Sequence, residues 1–94
     1  MQLSVVIITL NEEKHIQNCI SHLEALNAEI IVVDSGSTDN TVKIAESLGA
    51  SVFSHKWRGY AYARNLGAEK ASNNWILSID ADEYMSYELC KSIL

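Results

Sequence analysis

Four short apolar runs, each followed by a segment of helical pattern, restrict the fold of this chain more than any other feature. Leu3-Ser4-Val5-Val6-Ile7-Ile8-Thr9 is β-branched and nearly continuously apolar, the pattern of a strand covered on both faces. Asn11 is expected to open the first helix, where Ile16, Cys19, Ile20 and Leu23 recur at i, i+3, i+4 and i+7 and form an apolar stripe. Ile30-Ile31-Val32-Val33 reads as a second buried strand ending at Asp34. Ser35-Gly36-Ser37 turns the chain, and Ser37 or Thr38 is placed to cap a second helix. Thr41, Ile44, Ala45 and Leu48 give that helix its inner face, and Gly49 stops it. Ser51-Val52-Phe53-Ser54 is a third, shorter strand. A polar loop with Lys56, Trp57, Arg58 and Gly59 then leads into a helix with a small face, Ala63, Gly67, Ala68 and Ala71. Trp75-Ile76-Leu77-Ser78-Ile79 is the fourth strand, with Trp75 assigned to the core, and it ends at Asp80. Ser86 caps a last helix through Leu89, Ile93 and Leu94. Proline, which would interrupt such elements, is absent. Repeated strand–helix units imply parallel strands joined by right-handed crossovers. The expected fold is therefore α/β, an open parallel sheet with helices on both faces and strand order 3-2-1-4.

Composition narrows the possible roles. Ninety-four residues make one domain, and 48% apolar against 20% charged residues is globular rather than disordered. Twelve acidic against seven basic side chains leave a net charge of −5, which argues against nucleic acid and against an anionic membrane surface as partners. No apolar run approaches roughly 18 residues, so no membrane span is expected. The start, Met1-Gln2-Leu3-Ser4, lacks the basic region and cleavage site of a signal peptide, which makes a cytoplasmic chain the expectation. Cys19 and Cys90 form neither a disulfide framework nor a zinc motif, and Cys19 falls on an apolar helical face as a small hydrophobe.

Parallel sheets of this kind bind ligands beyond the carboxyl ends of their strands. Strand one delivers Thr9, Asn11, Glu12 and Glu13 to that rim, strand two delivers Asp34 with Ser35-Gly36-Ser37, and strand four delivers Asp80, Asp82 and Glu83. So many carboxylates on one edge repel each other unless a cation or a donor-rich ligand sits among them. Asp80-Ala81-Asp82 offers two hard oxygen ligands just past a strand, which suits Mg²⁺ or Mn²⁺ held against substrate phosphates; the plainer reading is an acidic turn. Asp34 either binds the amides of the Ser-Gly-Ser turn or accepts a hydrogen bond from a nucleoside. Asp39 is explained by the dipole of the second helix, in whose first turn it is expected. Arg64 and Asn65 fall early in the third helix, from which Arg64 can reach a base, ribose or pyrophosphate across the rim. Lys56 and Arg58 read as solvated, and His15, His22 and His55 show no metal-ligand spacing.

Taken together, Ser4 to Glu13, Val33-Asp34-Ser35-Gly36-Ser37-Thr38-Asp39-Asn40-Thr41, Ala63-Arg64-Asn65-Leu66-Gly67 and Asp80-Ala81-Asp82-Glu83 resemble the N-terminal half of an inverting family 2 glycosyltransferase with the GT-A fold. The pieces occur in the family's order and cover nearly the whole chain. Leu10-Asn11-Glu12-Glu13 with Trp57-Arg58-Gly59-Tyr60-Ala61 is similar to a bacterial branch that includes lipopolysaccharide core glycosyltransferases. The resemblance implies that Thr9, Asp34 and Arg64 contact the nucleoside of a nucleotide-sugar, UDP-linked in the expected case. It implies that Asp80 contacts the ribose, that Asp82 holds Mg²⁺ or Mn²⁺, and that Glu12 and Asn11 lie near the donor. Ile8 departs from the family, many members of which have proline there.

Family catalytic domains are more than twice this length. Residues 1–94 are therefore expected to be the nucleotide-sugar-binding half, with the acceptor site and the general base in a C-terminal half. Such a piece alone is expected to be inactive in sugar transfer and to self-associate through the edge of strand four or the last helix. The implied setting is the bacterial cytoplasm, in cell-envelope polysaccharide or lipopolysaccharide synthesis, with the full-length protein open to peripheral contact with the inner membrane. A receiver-like phosphoacceptor domain fits less well, since strand three ends in Ser54-His55 rather than an acceptor aspartate. A D-x-D phosphohydrolase would carry its motif after strand one. A non-catalytic nucleotide-binding module remains the alternative.

Overall fold

Alternation along β1 (Leu3–Thr9) builds the molecule's two cores. In the computed structural model, which describes residues 3–73 and 75–81, all seven residues of this strand are buried. Leu3, Val5 and Ile7 point to one face and Val6 and Ile8 to the other, as the two-residue repeat of a strand requires. The first face packs against α1 (Ile16–His22) and α2 (Thr41–Ser47) through Ile16, Cys19, Ile20, Leu23 and Ala45. The second packs against α3 (Tyr60–Lys70) through Ala63, together with Ile31 and Val33 of β2 (Glu29–Asp34). β3 (Ser51–Ser54) and β4 (Trp75–Asp80) complete a parallel sheet in the order β3-β2-β1-β4, as expected.

Register places the functional ends side by side. Thr9 is opposite Asp34, Ile8 is opposite Asp80, and Asp34 is opposite Ser54. At the other end of the sheet, Glu29 ties β1 to the segment before β4. Its Oε1 accepts from the Ser4 hydroxyl at 2.7 Å and the Ser72 amide at 2.8 Å, and its Oε2 accepts from the Ser72 hydroxyl at 3.0 Å. The Ser72 amide and the Ser4 hydroxyl lower the pKa of Glu29, against a smaller opposing effect of burial.

Several local expectations need correction. The first helix begins at Ile16 rather than Asn11, because Asn11 takes a left-handed conformation (φ 53°) and residues 13–15 form a turn. The second begins at Thr41, since Ser37 and Thr38 are engaged elsewhere. Asp39 therefore precedes that helix, and its Oδ1 accepts from the Thr41 amide at 3.0 Å. Leu48 is 38% exposed rather than part of the inner face. Trp75, assigned to the core, is 64% exposed, because it opens a strand that among the described residues pairs on one side only, with β1. On α3, Ala63 and Gly67 are buried but Ala68 faces solvent. Cys19 is buried in the core as a small apolar side chain, as expected. Asp82, Glu83, Cys90 and the last helix lie outside the described residues.

Candidate functional site

The rim is organised around one buried carboxylate. Asp34 ends β2 at 1% exposure, and four hydrogen bonds from its own chain converge on it. Oδ1 accepts from the hydroxyls of Thr9 (2.7 Å) and Ser37, and Oδ2 accepts from the amides of Gly36 (3.0 Å) and Ser37 (2.8 Å). That is one donor for each of the roughly four lone-pair directions of a carboxylate. Burial alone would raise its pKa; the Ser37 and Thr9 hydroxyls and the Ser37 and Gly36 amides outweigh it and hold the group below its ordinary 3.8. Both bonding patterns considered for Asp34 meet here, and the turn is the one the fold realises. A nucleoside contact by Thr9 or Asp34 must share oxygens already bonded.

Around this anchor the loops after β1 and β2 are laced together. The Asn11 amide donates to Ser37 Oγ (2.8 Å), and Asn11 Oδ1 accepts from the Thr38 amide (2.8 Å). The Glu12 amide donates to Thr41 Oγ1 (2.8 Å) and the Glu13 amide to Asp39 Oδ2 (3.2 Å). Glu13 Oε2 in turn accepts from the Asn40 amide (3.2 Å). Thr41 also donates its hydroxyl to Asp39. Although buried environment raises the pKa of Asp39, its bonds from Thr41 and Glu13 bring it below the ordinary value. Asp39 is thus a bracket between two loops, a role that helix-dipole reasoning did not reveal.

In front of the laced loops lies an open cleft of about 300 Å³, lined by Ile8, Thr9, Leu10, Glu12, Ser35, Trp57, Tyr60 and Asp80. A smaller depression of about 110 Å³ beside it shares Ile8 and Asp80 and is lined also by Arg64, Ser78 and Ile79. Of the residues expected at the site, the fold brings Thr9, Glu12 and Asp80 into one cleft and puts Arg64 in the adjoining depression. Asn11 and Asp34 do not line the cleft; their hydrogen bonds hold the loops that do. Among the described residues, no three His, Cys, Asp or Glu side chains gather as metal ligands.

The strand order is the expected one, and it sets Thr9, Asp34 and Asp80 at the carboxyl ends of adjacent strands. The sequence profile described as "Glycosyl transferase family 2" matches residues 4–94. The chain belongs to glycosyltransferase family 2. It is 40% identical over 94 residues to the lipopolysaccharide core biosynthesis glycosyltransferase LpsC of Rhizobium meliloti, covering 95% of this chain and 34% of that protein. S. aureus TarS 1-349 in complex with UDP superimposes with a TM-score of 0.84 at 30% identity, over 99% of this chain and 31% of the other. Mycobacterium tuberculosis glucosyl-3-phosphoglycerate synthase, in complex with Mn²⁺, UDP and glucosyl-3-phosphoglycerate, superimposes with a TM-score of 0.71 at 33% identity, over 88% of this chain and 35% of the other. The chain spans about a third of the length of the curated relatives it matches.

Four cleft residues of this family 2 chain escaped sequence reasoning as rim members, Ile8, Leu10, Trp57 and Tyr60, while Ser35 is placed at the rim by the turn after β2 without a ligand role. Leu10, Trp57 and Tyr60 are 52%, 45% and 53% exposed, large apolar surfaces held open at the rim. The available signal was the placement of Trp57-Arg58-Gly59-Tyr60 between the end of β3 and the start of α3, at the same end of the sheet as the carboxylates. Lys56 and Arg58 are exposed, and the Arg58 guanidinium lies 5.4 Å from the centre of the Tyr62 ring.

Proposed function

We propose that this cleft binds a nucleotide-diphospho-sugar, a UDP-sugar in the first instance, with Mg²⁺ or Mn²⁺, as the donor side of an inverting glycosyltransferase. The observation that carries the reading is the single cleft in which the ends of β1, β2 and β4 present Thr9, Glu12, Ser35 and Asp80 together. Thr9, Glu12, Arg64 and Asp80 supply donor contacts; Asp34 and Asn11 act by fixing the loops that form the wall. Asp82 would hold the metal, which would supply positive charge against the leaving diphosphate. Arg64, in the depression that shares Asp80, supplies a second positive charge for the same purpose. The UDP complex of TarS and the Mn²⁺–UDP complex of the mycobacterial synthase support the choice of nucleotide and metal.

In this reading residues 1–94 form the nucleotide-sugar-binding half, and the acceptor site and general base are supplied by a further segment. The likeness to LpsC supports a place in bacterial cell-envelope or lipopolysaccharide synthesis. Among the described residues no helix is long and apolar enough to cross a membrane. The exposed Trp75 and Ile76 on β4, which among the described residues pairs only with β1, support self-association of the isolated chain.

Calorimetry with UDP tests the metal assignment. UDP should bind more tightly in Mn²⁺ than in EDTA, and Asp82→Ala should remove that difference while leaving the metal-free affinity in place. Equal affinity with and without metal in the unaltered chain would refute the metal's role.

A further inference from the structure

We propose that Trp57, braced by Tyr60, is the wall on which the nucleobase of the donor stacks, and that Ser35 meets the edge of that base. The proposal rests on the donor-site reading above and assigns residues that the family resemblance left without a role.

Position across the sheet is the first argument. The strands run β3-β2-β1-β4, so the cleft has a β4 end at Asp80 and an opposite end at Ser35, which follows β2, and Trp57 lines the same cleft beside Tyr60. A nucleotide-sugar is linear: base, ribose, diphosphate, sugar. In the donor-site reading the metal and diphosphate belong at the β4 end, past the Asp80 that contacts the ribose, which directs the base toward Ser35. The sugar, on the far side of the diphosphate, is carried away from that end.

Surface chemistry is the second. The Trp57 and Tyr60 rings meet edge to face with centroids 4.9 Å apart and an interplanar angle of 85°, so each restrains the other while both remain about half exposed. With Leu10 and Ile8 they make an apolar slot at the mouth of an otherwise polar rim. A flat aromatic ring with polar edges suits such a slot, whereas a diphosphate does not. Ser35 lines the same cleft, and its hydroxyl oxygen is buried without a hydrogen-bond partner. An unpaired buried hydroxyl is costly, and a hydroxyl can both donate and accept, so the edge of a base offers it what the chain does not. Asp34 is unsuited to read that edge by itself, because four donors already occupy its oxygens.

The test compares UDP with inorganic pyrophosphate, which keeps the diphosphate and lacks the base, both in Mn²⁺. Trp57→Ala should weaken UDP by roughly tenfold, the loss expected for one base–aromatic stack, and leave pyrophosphate unchanged. Trp57→Phe should recover most of the affinity. Ser35→Ala should weaken UDP and not pyrophosphate. Trp57 and Trp75 are the only tryptophans, so in a Trp75→Phe background UDP should quench the remaining emission and pyrophosphate should not. Unchanged UDP affinity in Trp57→Ala with no quenching would overturn the stacking wall and leave the donor site standing. Equal weakening of UDP and pyrophosphate would overturn it as well, by showing that Trp57 acts on the diphosphate or on the fold. Failure of UDP to bind the unaltered chain would refute the donor site itself.

Discussion

Replacing Asp34 by alanine is expected to cost about 3–5 kcal/mol of folding stability, measured by urea unfolding. The change strands two hydroxyls and two amides that now converge on one buried carboxylate. For a domain of this size, with a total stability of roughly 5–14 kcal/mol, that removes a large share. Thr9→Val deletes one of the four donors and should cost about 1 kcal/mol. The same bonds fix a pH dependence. The folded pKa of Asp34 lies below the unfolded one, so its contribution is complete above the unfolded value and is lost as pH falls through the folded value. The urea midpoint should therefore decline on acidification below about pH 5, with Glu29 and Asp39 contributing in the same direction. Asp34→Asn should flatten that decline. A steep acid decline that is the same in Asp34→Asn would show that the carboxylate is not the anchor described.

Gly67→Ala should destabilise the chain by about 2–3 kcal/mol despite alanine's better helix propensity. A Cβ at this position would lie 2.3 Å from one Val6 methyl, 2.9 Å from the other and 3.1 Å from the Val6 Cβ. Val6 is fully buried, and its branched Cβ sits too close for any side-chain rotation to relieve the clash. Helix α3 must instead lift from the sheet. The expected fall in melting temperature is about 10–20 °C, read by circular dichroism. Because α3 carries Arg64 and follows directly on Trp57, UDP affinity should fall as well. A Gly67→Ala variant as stable as the parent would mean that α3 does not pack this closely on β1.

The strands were legible because four apolar runs end in chemistry that a buried strand cannot carry. The continuous β-branched run from Val5 to Ile8 requires cover on both faces, and two helical layers provide it. Asp34 and Asp80 mark strand ends for the same reason. Helix starts were less legible, since the groups that settle them come from across space: Ser37 and Thr38 are claimed by Asp34 and Asn11, and Glu12 by Thr41. Leu48 and Trp75 were misplaced by treating apolar character as proof of burial, an inference that runs reliably in one direction only. Trp57 and Tyr60 join the cleft because the loop from β3 to α3 opens at the same end of the sheet as Asp34 and Asp80, a placement carried by the strand–helix alternation and by no motif within the loop itself.

The central claim, a nucleotide site at the carboxyl rim of the sheet, is most directly tested by amide NMR of the nitrogen-15-labelled chain titrated with UDP and Mg²⁺. The account predicts shifts concentrated at Thr9 to Glu12, Ser35, Trp57, Tyr60, Arg64 and Asp80. Shifts confined to the opposite end, at Asn27 to Ile30 and Gly49 to Ser51, or no shifts at millimolar UDP, would contradict it.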